Sequence, residues 1–287
     1  MSTKILLISK KKSYAAKRLT LEAKKAGVSL SILAANEITG INPKNFDVLY
    51  VRDPYVKQNP KFLVKVIALA KKFKAAGKKV VDAVIVSGNL GEGKGADYRR
   101  LKRAGLAIPN TQVLSRRSIP KAWPFILKWI YGFKAKHTFL IQNQKHFNEV
   151  FEKYPKGELL VQEFVPAEFE YKIITVGYKA LPVAIRFKID NLGFRIDFSS
   201  ARGISTLLLP AKLIQVAERA SKALGRELAK VDILESKGKF YILEVNRFPG
   251  FDTFEELTKF NVAKEFIGYL QAKTPKSGSL QKSKFQL

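Results

Sequence analysis

The sequence predicts an α/β unit with a mainly parallel sheet, followed by an α+β region built on an antiparallel sheet. Three observations lead to this fold class. Up to residue 86, short apolar runs alternate with amphipathic helical patterns. Beyond residue 158, β-rich runs come in pairs joined by short turns, with helical patterns between the pairs. The stretch SGNLGEG at 87–93 breaks both patterns and divides the two parts.

The first 88 residues form the predicted N-terminal α/β domain. Its two helices are expected where apolar positions recur with helical spacing, and each pattern stops at a glycine, Gly27 or Gly77. The expected helices are 13–27 and 61–77, and the expected strands are 4–9, 29–35, 46–52 and 78–86.

A central subdomain is predicted over 89–157, and a C-terminal subdomain over 158–273. The central subdomain contains a helix at 96–105, an apolar strand within 123–133 and a helix at 146–157. The C-terminal subdomain opens with a strand at 158–165.

Two hairpins and two helices complete the C-terminal subdomain. The first hairpin spans 171–189 with its turn at 176–179, and the second joins VDIL to KFYILEV around Lys237 and Gly238. The helices are expected at 211–225 and 254–273. The remaining tail, 274–287, is polar and basic, and we expect it to be disordered.

Bulk composition narrows the class of protein. The chain has 287 residues, of which 46% are hydrophobic and 26% charged, as in ordinary folded proteins. The absence of cysteine excludes disulfides and thiolate metal sites. The apolar run at 5–8 is too short for a signal peptide, and no run approaches the roughly 18 residues of a membrane span. We therefore expect a cytoplasmic protein without membrane contact.

The net charge of +28, from 52 Lys and Arg against 24 Asp and Glu, is unusually high. A field of this sign attracts nucleotides, RNA and acidic peptides. The basic residues are spread along the chain and do not form one block. Contact with RNA or the ribosome is one interpretation of this surface, and solvated Lys-rich helix faces are the other.

The segment FYILEVNRFPG at 240–250 places Glu244 and Asn246 two residues apart in an otherwise apolar strand. Side chains at i and i+2 project from the same face of a strand, so both groups are expected on one face. If the preceding turn centres near Gly238, Asp232 lies opposite Glu244. A shift of one residue would turn its side chain to the other face.

Two opposed carboxylates repel each other unless a cation lies between them. Asp, Glu and Asn supply hard oxygen donors, which suit Mg²⁺ or Mn²⁺ that is partly coordinated by phosphates. We therefore predict a metal site at Asp232, Glu244 and Asn246. The alternative is that the two carboxylates pair with some of the many lysines.

These motifs resemble the ATP-grasp superfamily, and most closely the RimK-like carboxylate–amine (alpha-L-glutamate) ligases. The resemblance rests on VDIL followed by LEVNRFPG, on LLVQEFV, on EYKIITVG and on FRID, which occur in the family's order. It covers most of residues 90–270. It implies an ATP-grasp fold preceded by a Rossmann-like pre-ATP-grasp domain.

The resemblance also implies roles for individual residues. Three residues would ligate two magnesium ions that bridge the phosphates of ATP: Asp232, Glu244 and Asn246. Glu163 and Phe164 would lie along the adenine, and Glu170 would hold the ribose. Four residues would lie near the phosphates, the first two of them as catalytic groups: Lys128, Arg195, Lys94 and Asp197.

A protein of this family would join a carboxylate to an amine. The carboxylate attacks the γ-phosphate of ATP to form an acyl phosphate, and the amine then displaces phosphate, so that an amide, ADP and phosphate result. Positioning and charge neutralisation suffice, without a side-chain nucleophile. The expected partners are an amino acid and either a carboxylate-bearing small molecule or an acidic peptide or protein tail.

The sequence departs from the family at the glycine-rich loop. The stretch KWIYGFKAKHTFLI at 128–141 keeps Gly132 but has Ala135 where a second glycine is expected. Lys172 replaces an arginine of the family, and Arg247 and Phe248 replace small residues after the last metal ligand. These departures leave a second interpretation open, a catalytically weakened ATP-grasp module that binds RNA or the ribosome.

Overall fold

The computed structural model divides the chain into two compact units. Residues up to Val81 and the chain from Ala263 on form the first unit, and Asp82–Val262 form the second. The structure describes residues 2–52, 59–87, 94–114, 122–129, 137–154, 159–190, 196–247 and 249–273. None of the helices in these ranges combines the length and the apolar character that a bilayer crossing needs.

A parallel sheet with strand order β2-β1-β3-β4 forms the centre of the first unit, as predicted. Its strands are β1 (Lys4–Ile8), β2 (Ser29–Leu33), β3 (Val48–Val51) and β4 (Lys79–Val80). The helices of this unit are α1 (Tyr14–Lys25), α2 (Pro60–Ala75) and, from Ala263 on, α7 (Val262–Ala272). All four residues of β3 are buried, as expected for a central parallel strand with both faces covered.

The second unit contains two antiparallel sheets. The four-stranded sheet has the order β5-β8-β6-β7, with β5 (Thr111–Val113), β6 (Phe125–Trp129), β7 (Thr138–Ile141) and β8 (Leu159–Glu163). Two further helices of this unit are α3 (Lys94–Arg103) and α4 (Gln144–Phe151). Phe147 and Val150 of α4 pack with Phe125, Leu127 and Leu159 of the sheet.

The five-stranded sheet has the order β11-β10-β9-β12-β13. Its strands are β9 (Phe169–Val176), β10 (Lys179–Lys188), β11 (Arg202–Ser205), β12 (Leu228–Ser236) and β13 (Lys239–Asn246). The helices of this region are α5 (Ala211–Ala223) and α6 (Asp252–Thr258). The buried side chains of α5 at 213, 216, 217 and 220 follow the helical period and pack on one face of this sheet.

Two of the predicted elements are shortened or divided in the structure. The predicted strand 78–86 is reduced to β4, because the chain turns at Asp82, whose φ is +55°, into a 3₁₀ helix at Ala83–Ser87. The predicted helix 254–273 is two helices, because Lys259 adopts a left-handed conformation with a φ of +56° that ends α6.

Two segments also group with other sheets than the sequence predicted. β8 hydrogen-bonds to β5 and β6, so this strand is part of the four-stranded sheet, whereas the sequence interpretation grouped 158–165 with the C-terminal subdomain. From Ala263 on, α7 groups with the N-terminal parallel sheet. Strand pairing and helix docking are decided by side chains distant in the sequence, which local patterns do not contain.

Candidate active site

The two carboxylates predicted from the second hairpin lie opposite each other. β12 and β13 pair with Asp232 opposite Glu244, which is the pairing expected from the sequence. Lys237 and Gly238 in the turn both have positive φ, 48° and 70°, which is the geometry that matches the twist of a two-residue hairpin. Asn246 follows in regular pairing and shares its face with Glu244.

A β-bulge at Leu243 decides which way Glu244 points. Ile233 pairs with Ile242 and Asp232 with Glu244, so Leu243 is an extra residue of β13. Simple alternation would place Ile242 and Glu244 on one face of the sheet. With the bulge, Ile242 packs in the core against α5, and Glu244 is directed to the opposite face.

Lysine side chains approach Asp232 from two sides. Lys172 occupies the neighbouring position on β9, and its Nζ lies 3.6 Å from Oδ2 of Asp232 and 2.6 Å from Oε1 of Glu170. The Nζ of Lys230 lies 3.9 Å from Oδ1 of Asp232. Asp232 therefore forms ion pairs with lysines, which was the alternative to a metal site in the sequence analysis.

Asp232 nevertheless keeps an unused acceptor. Its Oδ1 is buried and has no hydrogen-bond partner among the residues that the structure describes. Buried polar atoms are rarely left without a partner, so such an atom indicates a place for a ligand, an ion or a water molecule. The donor set fits a hard divalent cation, because Mg²⁺ is commonly held by one or two carboxylates together with phosphate oxygens.

The protein donors alone do not complete a metal site. Within the described ranges, no group of three or more His, Cys, Asp or Glu side chains could hold a metal ion. A cation at Asp232, Glu244 and Asn246 would therefore require oxygens of a bound phosphate or of water to fill its coordination.

Lys128 lies among the charges of Lys94, Glu244 and Glu170. Lys128 lies on β6, and Lys94 is the first residue of α3. Burial lowers the pKa of Lys128 to about 8 and the charge of Lys94 acts in the same direction, whereas Glu244 and Glu170 act to raise it. Because Coulomb energies fall with distance, these four charges belong to one neighbourhood. The structure thus brings together sequence-predicted residues from two sheets and a helix.

Lys172 carries a positive charge in this neighbourhood. Burial by itself would lower the pKa of Lys172, but the carboxylates of Asp232 and Glu170 outweigh burial and raise it. Burial also raises the pKa of Glu170, and Lys172 opposes that shift. The lysine that replaces the family's arginine is therefore held between two acidic groups.

Glu163 and Phe164 lie at one end of the four-stranded sheet. Glu163 ends β8, and its Oε2 accepts a hydrogen bond of 3.1 Å from the backbone N of Asn110. Phe164 follows it and is half-buried. Lys128 pairs with Leu160, three residues away along β8. Their contact with a base, expected from the sequence, remains a prediction.

Asp197 lies in a cleft that does not contain Asp232 or Glu244. It lines a cleft of about 390 Å³ with Phe169, Arg186 and Arg202, which alternate along their strands with the residues on the face of Asp232. Its Oδ1 accepts hydrogen bonds from N and Oγ of Ser199, at 2.9 and 2.6 Å, and these bonds lower its pKa. Arg195, Phe248 and the loop 130–136 with Gly132 and Ala135 lie outside the described residues.

A network of buried charges beside β13 was not predicted from the sequence. Arg226 donates from Nη2 to both carboxylate oxygens of Asp97, at 2.8 Å each. Asp82 and Glu227 exchange backbone-to-carboxylate hydrogen bonds, and Nε of Arg247 lies 3.8 Å from Oδ2 of Asp82. The signal in the sequence was weak, since the charged residues at 226 and 227 follow a helix end and also suit a solvated turn.

Comparisons with known proteins identify the family and the fold of the chain. The RimK-like ATP-grasp domain family matches residues 100–270. A "Probable alpha-L-glutamate ligase" from Haemophilus influenzae is 24% identical over 297 residues, which cover 93% of this chain and 96% of that protein. A "Probable alpha-L-glutamate ligase" from Rhodopirellula baltica is 26% identical and covers 90% of this chain and 68% of its own length.

Solved structures of ATP-grasp ligases share the fold. The ATP-grasp ligase PsnB, complexed with precursor peptide PsnA2 and AMPPNP, superposes with a TM-score of 0.74 at 15% identity and covers 96% of this chain and 98% of its own. A RimK domain ATP-grasp protein from Sphaerobacter thermophilus gives 0.69 at 17% identity, covering 93% and 99%.

The fold predicted from the sequence motifs is therefore confirmed, as a parallel N-terminal sheet followed by two antiparallel sheets. The family match extends over more than half of the chain and contains β12 and β13 with their opposed carboxylates. The chain belongs to the RimK-like ATP-grasp family.

Proposed function

We propose that the protein is an ATP-dependent carboxylate–amine ligase, which forms an amide or peptide bond through an acyl phosphate and releases ADP and phosphate. One observation carries the proposal. Asp232 and Glu244 oppose each other on the sheet, and the buried Oδ1 of Asp232 has no hydrogen-bond partner in the described part of the chain. Membership of a family that contains ligases supports the same conclusion.

Three residues would hold the divalent metal, as one or two ions: Asp232, Glu244 and Asn246. Mg²⁺ or Mn²⁺ bound there would neutralise negative charge on the phosphates of ATP. Lys94 and Lys128 would contact phosphate oxygens directly. A phosphate placed near them would offset the lysine–lysine repulsion that contributes to the low pKa of Lys128.

The other nucleotide contacts are proposed from the family pattern. Glu163 and Phe164 would lie along the adenine. Glu170 would hold the ribose, since its Oε1 contacts Lys172 and its second oxygen can accept from a hydroxyl group. Arg195 would lie near the phosphates and act with Lys128 on the charge that develops as ADP leaves. The family pattern also gives Asp197 a place near the phosphates, but Asp197 lines a cleft with Phe169 and Arg186, which lie on the face of the sheet opposite Asp232.

The substrates we propose are an amino acid, as the amine, and a carboxylate of a small molecule or of an acidic peptide or protein tail. The relatives described as probable alpha-L-glutamate ligases support the amino acid. The likeness to PsnB, solved with its precursor peptide, supports a peptide acceptor. The net charge of +28 would draw an acidic acceptor toward the protein.

One observation favours the second candidate, an ATP-grasp module that binds RNA or the ribosome without turnover. Lys172 and Lys230 lie 3.6 and 3.9 Å from the carboxylate of Asp232, where their ammonium groups take part of the role of a metal ion. In such a module the carboxylates would be neutralised permanently, and the basic surface would contact phosphates of RNA.

Turnover with magnesium separates the two candidates. The purified protein is incubated with Mg·ATP and each amino acid in turn, with and without a glutamate-rich peptide, and ADP is measured. The ligase proposal expects ADP only with a suitable amino acid, and a loss of about 100-fold or more in Asp232→Asn and Glu244→Gln. Tight RNA binding together with no affinity for Mg·ATP would establish the module instead.

Glu235→Gln supplies the matched control for these variants. Glu235 lies on the same strand as Asp232 but bonds Tyr171 on the opposite face, with 2.7 Å between the two oxygens. This variant is expected to keep wild-type turnover. Wild-type rates of ADP release in either Asp232→Asn or Glu244→Gln would refute the metal site.

A further inference from the structure

Helix α3 is fastened to strand β13 through one buried guanidinium group. Arg226, whose side chain is 5% exposed, donates from Nη2 to both oxygens of Asp97 in the first turn of α3, at 2.8 Å each. Its Nη1 donates to the backbone carbonyl of Val245. A planar guanidinium can serve two partners in fixed directions, which a flexible ammonium cannot.

A second bond joins the same two elements one residue further along α3. The hydroxyl of Tyr98 donates to the carbonyl of Leu243, the bulged residue of β13, at 3.0 Å. Positions 243 and 245 are the two neighbours of Glu244 in the chain. The main chain on both sides of Glu244 is therefore held by hydrogen bonds that depend on α3.

Lys94 stands at the other end of this connection. It is the first residue of α3, three positions before Asp97, so both lie on one side of the helix. The charges of Lys94 and Glu244 both act on Lys128. The bridge from Asp97 through Arg226 to Val245 thus links the element that carries a phosphate-binding cation to the strand that carries the acidic ligands.

We propose that Asp97 and Arg226 are positioning residues of the nucleotide site, which hold Lys94 in register with Glu244 and Asn246. The inference rests on the proposed ligase function, because it assigns Lys94 to the phosphates. In this proposal the ion pair between Asp97 and Arg226, whose guanidinium also bonds the carbonyl of Val245 in β13, sets the distance between the ammonium group of Lys94 and the carboxylate of Glu244. A small displacement of a positioned charge is enough to weaken such an arrangement.

A double-mutant cycle with Mg·AMPPNP tests the inference by calorimetry. Asp97→Asn keeps the shape of the side chain but removes the charge that holds Arg226, and we expect about a 10-fold weaker affinity for Mg·AMPPNP. In the background of Lys94→Ala, the same substitution is expected to change the affinity less than about 2-fold, because Asp97 acts through Lys94. A purely structural role would give the same loss in both backgrounds.

Two further variants distinguish a loss of positioning from a general loss of stability. Asp97→Glu retains the charge and is expected to recover affinity to within about 3-fold of the wild type. Arg219→Met removes the bond from Arg219 to the carbonyl of Ala104 at the far end of α3, and it should lower the unfolding temperature without changing affinity. If Asp97→Asn does not fold, Arg226→Lys replaces it in the same cycle.

The outcomes separate this inference from the proposed function. A wild-type protein that fails to bind Mg·AMPPNP would overturn the proposed function, and the positioning role would fall with it. Normal wild-type binding combined with an Asp97→Asn effect that persists unchanged in Lys94→Ala would overturn the positioning role alone. An unchanged affinity in Lys94→Ala would also overturn it, since no phosphate-binding cation would remain to be positioned.

Discussion

Asp232 and Lys128 are the two residues whose electrostatics best support the proposed nucleotide site. Asp232 has a buried oxygen without a hydrogen-bond partner among the described residues, and Lys128 has a pKa lowered by burial and by Lys94 to about 8. Asp232 therefore has an acceptor that a ligand could use, and the carboxylates near Lys128 do not outweigh its burial and the charge of Lys94. The proposed metal–phosphate complex would supply a cation for Asp232 and an anion for Lys128.

Lys128→Ala is expected to weaken Mg·AMPPNP binding by about 10-fold, equivalent to about 1.4 kcal/mol. The reason is the loss of a desolvated cation next to the phosphates. Calorimetry of the variant and of Lys239→Ala, an exposed lysine at the start of β13, makes the comparison. Equal affinities for Lys128→Ala and the wild type would count against the phosphate contact.

We expect the free energy of unfolding to depend on pH because of Asp82. Burial raises its pKa to about 6, although Arg247 opposes the shift, whereas an unfolded aspartate titrates near 3.9. The folded state then holds this proton more tightly, so the contribution of Asp82 to the free energy of unfolding falls between about pH 4 and pH 6 and is level above that. The size is on the order of 2 to 3 kcal/mol.

Urea unfolding of the wild type and Asp82→Asn across this pH range measures the effect. The variant cannot titrate at this position, so the difference between the two free energies of unfolding should change with pH between 4 and 6. A constant difference would show that Asp82 titrates normally in the folded protein.

At the scale of the elements, the hairpin β12–β13 was the most predictable part of the site. The Lys237-Gly238 turn is a two-residue connection that pairs Ser236 with Lys239, and regular pairing from there would place Leu243 opposite Asp232. Glu244 lies opposite Asp232 because Leu243 is bulged. The bulge at Leu243 was not predictable from alternation. It depends on two contacts from other segments, since the hydroxyl of Tyr98 bonds the carbonyl of Leu243 and the carbonyl of Ala107 accepts from the N of Ile242.

The turn can be tested with a pair of glycine substitutions. Gly238 has a φ of +70° and open space around an added Cβ, so Gly238→Ala should destabilise the protein through the backbone alone, by about 1 to 2 kcal/mol. Gly268 lies inside α7, also with open space, and Gly268→Ala should stabilise by up to about 1 kcal/mol. Free energies of unfolding in urea with the same sign for both variants would contradict this account.

Three short edge strands were not predicted from the sequence. β5, β7 and β11 have three or four residues each, and none was predicted. A segment of this length has too few alternating positions to show a period, and it becomes a strand only because a longer neighbour offers hydrogen bonds. β5 pairs with β8, β7 with β6 and β11 with β10.

At the scale of the whole molecule, the positive charge is unevenly distributed along the chain. The first 81 residues contain 18 Lys and Arg but four Asp and Glu. The nucleotide site proposed here uses two lysines of the second unit, Lys94 and Lys128. Most of the basic residues therefore act through the general field of the protein and not through the site.

Binding through the general surface charge and binding at the proposed nucleotide site should differ in their dependence on salt. Raising KCl from about 0.1 M to about 0.5 M is expected to reduce binding of a single-stranded RNA by more than about 100-fold, because counterion release dominates such binding. Affinity for Mg·AMPPNP should fall by less than about 5-fold, because partly buried pairs are screened less. Equal salt slopes in titrations of the two ligands would show that the nucleotide is held by surface charge alone.

The sequence by itself determined the fold class, the position of the hairpin turn and the family. These follow from local periods, turn residues and a short motif, all of which operate over a few neighbouring positions. Glu244 and Asn246 were identified as a pair, and Asp232 as their partner, without any knowledge of the surrounding structure.

Tertiary structure alone decided how the site is assembled. The grouping of Lys94 and Glu244 around Lys128, the pairing of β8 with β6, the approach of Lys172 to Asp232 and the buried bridge from Asp97 to Arg226 join segments that lie far apart in the sequence. Such contacts depend on which surfaces pack together, and packing is selected by the free energy of the whole fold. A local sequence pattern does not contain information about this packing.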